Sequence, residues 1–274
     1  MKNLLLPILA IAALPLIPTD AAAQFYVVAD DGSVLYRMES GTPAYVTFEN
    51  PNPYNGTVGT AVDLGLPSGT LWADHNIGAT NPEDYGDYYS WGETATKEAY
   101  DWSTYFDTND DGFTFGKYNN DDGLTELETS DDVASQTWGG KWQMPTQAMI
   151  EELTSQCYWV WTTTYNGKSV NGYIVYKAKT DADKGATVTS GSSPSSNYDV
   201  ATDPHLFLPA AGYRWGSVLY GAGGFGRYWS RSLSPADSNV AYYLYFSSDY
   251  VWGNRALNRF NGFAVRPVVL PAAE

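Results

Sequence analysis

The sequence predicts a mixed α+β domain built from small antiparallel sheets, one or two helices and long loops. Three observations lead there. Helical periodicity is nearly absent from the 274 residues, short apolar pieces are separated by Gly and Pro, and an Asn-Gly pair between strand-like runs marks a tight hairpin. A helical bundle needs the opposite pattern.

Taken in order, the chain begins with Lys2, the apolar stretch Leu4 to Pro18 and the small residues Ala21 to Ala23. Residues 1–23 are therefore expected to be a cleavable secretory signal peptide, which sends the mature chain to the periplasm, the cell surface or the exterior. Its apolar core is short for a membrane span, and no later stretch reaches eighteen apolar residues, so no membrane insertion is expected. The single cysteine, Cys157, is far from the cleavage site and supplies no lipid anchor. Phe25 to Val28 and Val34 to Tyr36, around Asp30-Asp-Gly32, read as a hairpin, with a third strand over Ala44 to Phe48. The turn-rich run Asn50 to Gly56 closes this short β-rich segment and linker, residues 24–56. The main domain is expected over residues 57–274.

Within it, Pro145 to Cys157 is the best helix: Thr146 can cap its start, and Met149, Ile150 and Leu153 recur at helical spacing. A shorter helix is expected around Asp131 to Ser135. Val160 to Thr164 and Val170 to Lys179 form strands around Tyr165-Asn-Gly167. Residues 181–203, rich in Ser, Asp and Gly, read as a mobile surface loop. Strand character returns at His205 to Leu208. It continues to the closing segment, where Asn239 to Trp252 alternates: Tyr242, Leu244 and Phe246 share one side, taken as core, and Ala241, Tyr243, Tyr245 and Ser247 the other.

Composition narrows the partners. With 15 basic and 31 acidic residues the net charge is −16, which repels nucleic acids and anionic membranes. One cysteine rules out an intrachain disulfide framework. Stability must come from packing, to which 10 Trp, 22 Tyr and 10 Phe contribute.

Six motifs carry a family resemblance: Asp63-Leu-Gly-Leu-Pro-Ser-Gly-Thr-Leu-Trp72, Tyr88-Tyr-Ser-Trp-Gly-Glu93, Trp138-Gly-Gly-Lys-Trp-Gln-Met-Pro-Thr146, Leu208-Pro-Ala-Ala-Gly-Tyr213, Tyr228-Trp-Ser230 and Gly262-Phe-Ala-Val-Arg-Pro-Val268. Over about residues 57 to 270 the chain resembles the Fibrobacter succinogenes major paralogous domain family. That family is similar in fold to the C-type lectin-like domains of formylglycine-generating enzymes and of the variable proteins of diversity-generating retroelements. The closing segment resembles a retroelement variable region. This resemblance implies ligand-binding, diversified positions at Arg231, Tyr243, Tyr245, Ser247, Asp249, Tyr250, Gly253, Arg255, Ala256, Leu257 and Phe260. Trp229, Leu244, Phe246 and Trp252 do not alternate with these and are expected in the scaffold.

Other sites are weaker. Asp107, Asn109 and Asp111 match the front of a calcium loop, but Tyr118 stands where its closing Glu belongs, and a solvated acidic turn fits better. No cofactor is expected. The sugar-binding triplets of true C-type lectins are missing. Formylglycine-generating relatives act through a cysteine pair, whereas Cys157 stands alone and reads as a buried, inert thiol. His75 and His205 lie far apart, and Gly221 to Gly226 lacks the Lys-Ser/Thr of a phosphate loop. The expected function is thus non-catalytic recognition of a protein or glycan ligand outside the cell. The alternatives are a structural surface or matrix protein and, more distantly, an enzyme of the formylglycine-generating kind.

Overall fold

The computed structural model describes residues 25–28, 34–38, 56–106, 115–119 and 121–270. The signal peptide expected over residues 1–23, the third strand expected over Ala44 to Phe48, and Asp107, Asn109 and Asp111 of the weak calcium candidate lie outside the described residues. The chain divides into two compact units, Met1–Pro53 and Tyr54–Glu274. In the first, β1 (Phe25–Val28) and β2 (Val34–Met38) pair antiparallel, from Phe25 opposite Met38 to Val28 opposite Val34.

The second unit is α+β, with small sheets and two short α-helices among its described residues. In chain order it runs β3 (Ala61–Val62), β4 (Leu71–Ala73), α1 (Val133–Thr137), β5 (Trp142–Gln143), α2 (Gln147–Gln156), β6 (Cys157–Tyr165) and β7 (Lys168–Lys177). There follow β8 (Thr187–Val188), β9 (His205–Pro209), β10 (Tyr213–Trp215), β11 (Val218–Tyr220), β12 (Phe225–Leu233), β13 (Val240–Ser247), β14 (Val251–Asn258) and β15 (Val268–Val269). The sheets are ordered β3-β4-β15-β5, β8-β6-β7-β9 and β12-β13-β14, with β10-β11 as a separate ribbon.

Local chemistry accounts for the elements. Thr146 caps α2, its hydroxyl accepting from the Met149 amide at 3.2 Å, and Ile150 and Leu153 face the core. Asp132 caps α1 through the Ser135 amide at 3.0 Å and also holds the Met144 amide at 2.9 Å. Between β6 and β7, Asn166 (φ 49°) and Gly167 (φ 74°) both occupy the left-handed region, as a two-residue hairpin turn requires. Residues 181–203 form the expected surface loop, exposed over most of their length and tethered at three points. β8 pairs parallel to β6, the Tyr198 ring stacks on Tyr158 at 4.4 Å, and Lys179 binds Asp203 at 2.7 Å.

The core lies on both sides of β12 and β13. Trp72, Trp159, Tyr173, Tyr228, Leu244 and Phe246 pack together on one side. Trp91, Met144, Trp229, Ala241, Tyr243, Phe263 and Val265 pack on the other. Each large side chain so buried contributes on the order of 2 kcal/mol through removal from water. Gly226 has no room for a side chain, because a Cβ there would strike the Phe246 ring.

Arg266 ties the segments together. It is 1% exposed, and its guanidinium donates to Asn76 Oδ1 (2.8 Å), to the Ala73 and Asp74 carbonyls (both 3.1 Å) and to the Phe207 carbonyl (2.9 Å). Burial pushes its pKa down to about 10, so it remains charged at neutral pH. Both histidines are built into the framework. His75 bonds Asp74 Oδ1 at 2.7 Å and the Thr57 carbonyl at 3.0 Å, and His205 bonds the Tyr165 hydroxyl at 2.8 Å.

Candidate functional site

The register of β12, β13 and β14 places three cross-strand rows on one face. Phe225 lies opposite Ser247, Arg227 opposite Tyr245 and Trp252, and Trp229 opposite Tyr243 and Arg255. Directly opposed residues share a face of the sheet. Between the last two rows β14 carries one residue more than β13, a bulge at Gly253-Asn254, which swings the Val251–Trp252 end. Gln147 of α2 donates to the Gly253 carbonyl and fixes the bulge from the side.

From this face a continuous ribbon of rings runs to the β10-β11 hairpin. Trp215 contacts Tyr220 at 6.0 Å, Tyr220 contacts Tyr213 at 5.7 Å, and Tyr213 contacts Phe225 at 6.0 Å. Phe225 meets Tyr245 at 5.7 Å, Tyr245 meets Trp252 at 5.5 Å, and Trp252 stacks on Tyr250 at 4.2 Å. Trp215 is 53% exposed, Tyr250 41% and Trp252 37%. Two guanidiniums lie over the ribbon: Arg227 at 3.9 Å from the Tyr213 ring centre and Arg255 at 3.8 Å from that of Trp252.

The polar groups of the ribbon are uncommitted. Among the described residues, no hydrogen bond holds the hydroxyls of Tyr213, Tyr220, Tyr245 or Tyr250. Lys97, Lys117, Lys168, Lys179, Lys184 and Arg231 each hold a carboxylate. Among the described residues Arg227 and Arg255 hold none, and the Arg227 Nε is buried without a partner. Burial raises the Tyr245 phenol above its ordinary pKa, with Tyr250 adding to the shift and Arg227 and Arg255 opposing it. At neutral pH it is a neutral hydroxyl, able to donate and accept.

The eleven residues implied by the sequence do not all meet here. Asp249, Tyr250 and Arg255 are exposed, while Tyr245, Ser247, Gly253, Ala256 and Leu257 are half-buried. Three depart from the expected exposed series. Tyr243 is 6% exposed, because the returning Phe263 ring covers it at 5.0 Å and Trp229 flanks it at 6.0 Å. Phe260 is 7% exposed, packed against Trp102 at 4.8 Å and clustered with Tyr105 and Phe115. Arg231 turns inward to Gln143 Oε1 (2.6 Å), the Leu127 carbonyl, Glu126 (3.6 Å) and Asp132 (3.8 Å). Trp252, expected in the scaffold, is instead an exposed ring of the ribbon, between Tyr245 and Tyr250.

Sequence reasoning missed Tyr213, Trp215, Tyr220, Phe225 and Arg227. A signal was present: Tyr213-Arg-Trp and Val218-Leu-Tyr220 flank Gly216-Ser217, a two-residue turn between alternating rings. Cys157 is fully buried, and its thiol is pushed up to about 12 by burial and the charge of Glu152. Among the described residues no three or more His, Cys, Asp or Glu side chains are grouped to hold a metal, and no helix is long and apolar enough to cross a membrane. Comparison of the chain with known protein families, curated proteins and solved structures finds no match.

Proposed function

We propose that the protein is a non-catalytic, exported recognition protein that binds a protein or glycan ligand through the aromatic ribbon. One observation carries the reading: seven linked rings reach the surface, and among the described residues their phenol hydroxyls and two arginines are uncommitted while most other cations hold carboxylates. Tyr, Trp and Arg are the residues that dominate binding energy at interfaces; Tyr and Trp combine contact area with few freely rotating bonds, and Arg adds a planar, charged donor set. Ligand contact area would come from Trp215, Tyr220, Tyr245, Tyr250 and Trp252, and charge-assisted bonds from Arg227 and Arg255.

The six sequence motifs support a C-type lectin-like fold of the Fibrobacter succinogenes major paralogous domain kind, with the β13-β14 region as its retroelement-diversified segment. The sequence of the neighbouring DNA tests that part. A reverse-transcriptase gene beside a near-copy of the final coding segment, differing at adenines, is expected. A locus with neither removes diversification and leaves the ribbon to be judged on binding.

The binding reading is tested by titrating Trp215→Ser and Trp252→Ser variants against a ligand identified with the wild-type mature chain. Each is expected to weaken capture at least tenfold. Undiminished capture by both would place the binding surface elsewhere.

A further inference from the structure

On β10, Arg214 alternates with Tyr213 and Trp215 and so points away from the ribbon. On that side a cleft of about 470 Å³ opens, lined among others by Asp87, Tyr88, Lys97, Glu98, Tyr100 and Arg214. Its volume is within the range of small-molecule sites, and it is open to solvent with a lining more polar than apolar.

The floor is rigid and chemically spent. Tyr88 and Tyr100 are both buried, with hydroxyls donated to the Ala211 carbonyl (2.6 Å) and the Tyr88 carbonyl (2.7 Å). The backbones of Tyr100 and Gly216 exchange two bonds of 2.9 Å, and those of Arg214 and Gly262 exchange bonds of 2.8 and 3.0 Å. Lys97 is also committed, to Glu93 at 2.8 Å and the Thr104 carbonyl at 3.1 Å.

What remains is one cation and two carboxylates. The Arg214 guanidinium lies 5.4 Å from the centre of the Tyr88 ring and has no carboxylate partner among the described residues. Asp87 makes one side-chain hydrogen bond, from the Tyr89 hydroxyl at 3.5 Å, and packs against Gly78, and Glu98 is exposed. The protein atoms packed behind Asp87 raise its pKa above its ordinary value, and the Tyr89 hydroxyl offsets only part of this. A carboxylate in that setting gains from a cation beside it.

We propose that this cleft binds a small zwitterion of amino-acid or dipeptide size. Its carboxylate would sit on the Arg214 guanidinium, its ammonium on the Asp87 side, and its carbon skeleton on the tyrosine floor. A planar guanidinium matches a carboxylate through two parallel bonds, and the acidic rim rejects a ligand that is only an anion. The inference does not depend on the ribbon, whose rings lie on the other face of the hairpin.

Isothermal titration of the mature protein at pH 7 with glycyl-phenylalanine, its N-acetyl form and its C-terminal amide tests it. The free dipeptide is expected to saturate one site, and blocking either end should weaken binding at least tenfold. Arg214→Gln should abolish the preference for acid over amide, and Asp87→Asn the preference for free over acetylated amine, with unchanged circular dichroism. Lowering the pH through the raised Asp87 pKa should weaken the free dipeptide as that carboxylate takes up a proton. No saturable heat with the free dipeptide would overturn the proposal, as would equal affinity of the blocked forms. Full discrimination retained in the folded Arg214→Gln variant would also overturn it.

Discussion

Tyr228 and Tyr245 stand on neighbouring strands of one sheet and have opposite fates. Tyr228 is 2% exposed, gives its hydroxyl to the Pro209 carbonyl at 2.6 Å and stacks near Phe246. Burial pushes its phenol up to about 12. Tyr245 faces the other way, half in water, with its hydroxyl uncommitted and Arg227 across the strand pair. The difference is not residue type but whether the fold supplies an internal acceptor. A tyrosine whose hydroxyl meets a buried carbonyl is a structural member, and removing it leaves an orphaned acceptor and a void. One whose hydroxyl meets only solvent is cheap to remove and open to a ligand.

The comparison can be broken most severely at the buried end. Replacing Arg266 with Ala leaves three carbonyls and the Asn76 amide oxygen without donors, and is expected to cost about 3–5 kcal/mol, read as a drop in the urea midpoint. Tyr243→Ala should cost about 3 kcal/mol for the cavity beneath Phe263 and Trp229. A cost under about 1 kcal/mol would return Tyr243 to the exposed set.

Smaller effects sharpen the contrast. Asp74 holds the Thr60 amide at 2.9 Å and His75 at 2.7 Å. Burial opposes its ionisation, but the His75 and Thr60 bonds hold its pKa below the ordinary value. Its contribution is therefore present at neutral pH and is lost as the pH falls through that depressed value. Asp74→Asn should lower neutral stability by about 1 kcal/mol and flatten the acid limb of the stability curve. A mutant whose acid limb matches the wild type would refute this. Cys157 should react with a thiol reagent only at the rate of unfolding, and rapid labelling of the native chain would contradict its burial. Tyr250→Ala should change stability by no more than about 0.5 kcal/mol, since it removes an exposed ring from a surface stack.

Much of the local architecture was legible because it rests on short-range rules. Thr146 at the cap of α2, Asn166-Gly167 between β6 and β7, and the first hairpin follow from neighbours in sequence. The faces of β13 did not follow from its own alternation. That rule separates Tyr243 and Leu244, but it cannot say that Phe263 and Val265 return to cover the side bearing Tyr243. Phe260 was misplaced for the same reason: Trp102, Tyr105 and Phe115, which bury it, come from more than a hundred residues earlier. Arg231 looked free because Glu126, Asp132 and Gln143 are also remote in sequence. The ribbon was half visible through Tyr245, Tyr250 and Arg255, while its Trp215–Phe225 half went unread because the hairpin around Gly216-Ser217 did.

The most direct test is a paired measurement on the double variant Tyr250→Ala/Trp252→Ala: binding to an array of extracellular glycans and proteins, beside thermal unfolding. The ribbon account predicts that the wild type captures at least one array ligand and that the double variant loses it while melting within about 2 °C of the wild type. Capture that survives the double substitution, or a melting temperature that falls together with binding, would contradict it.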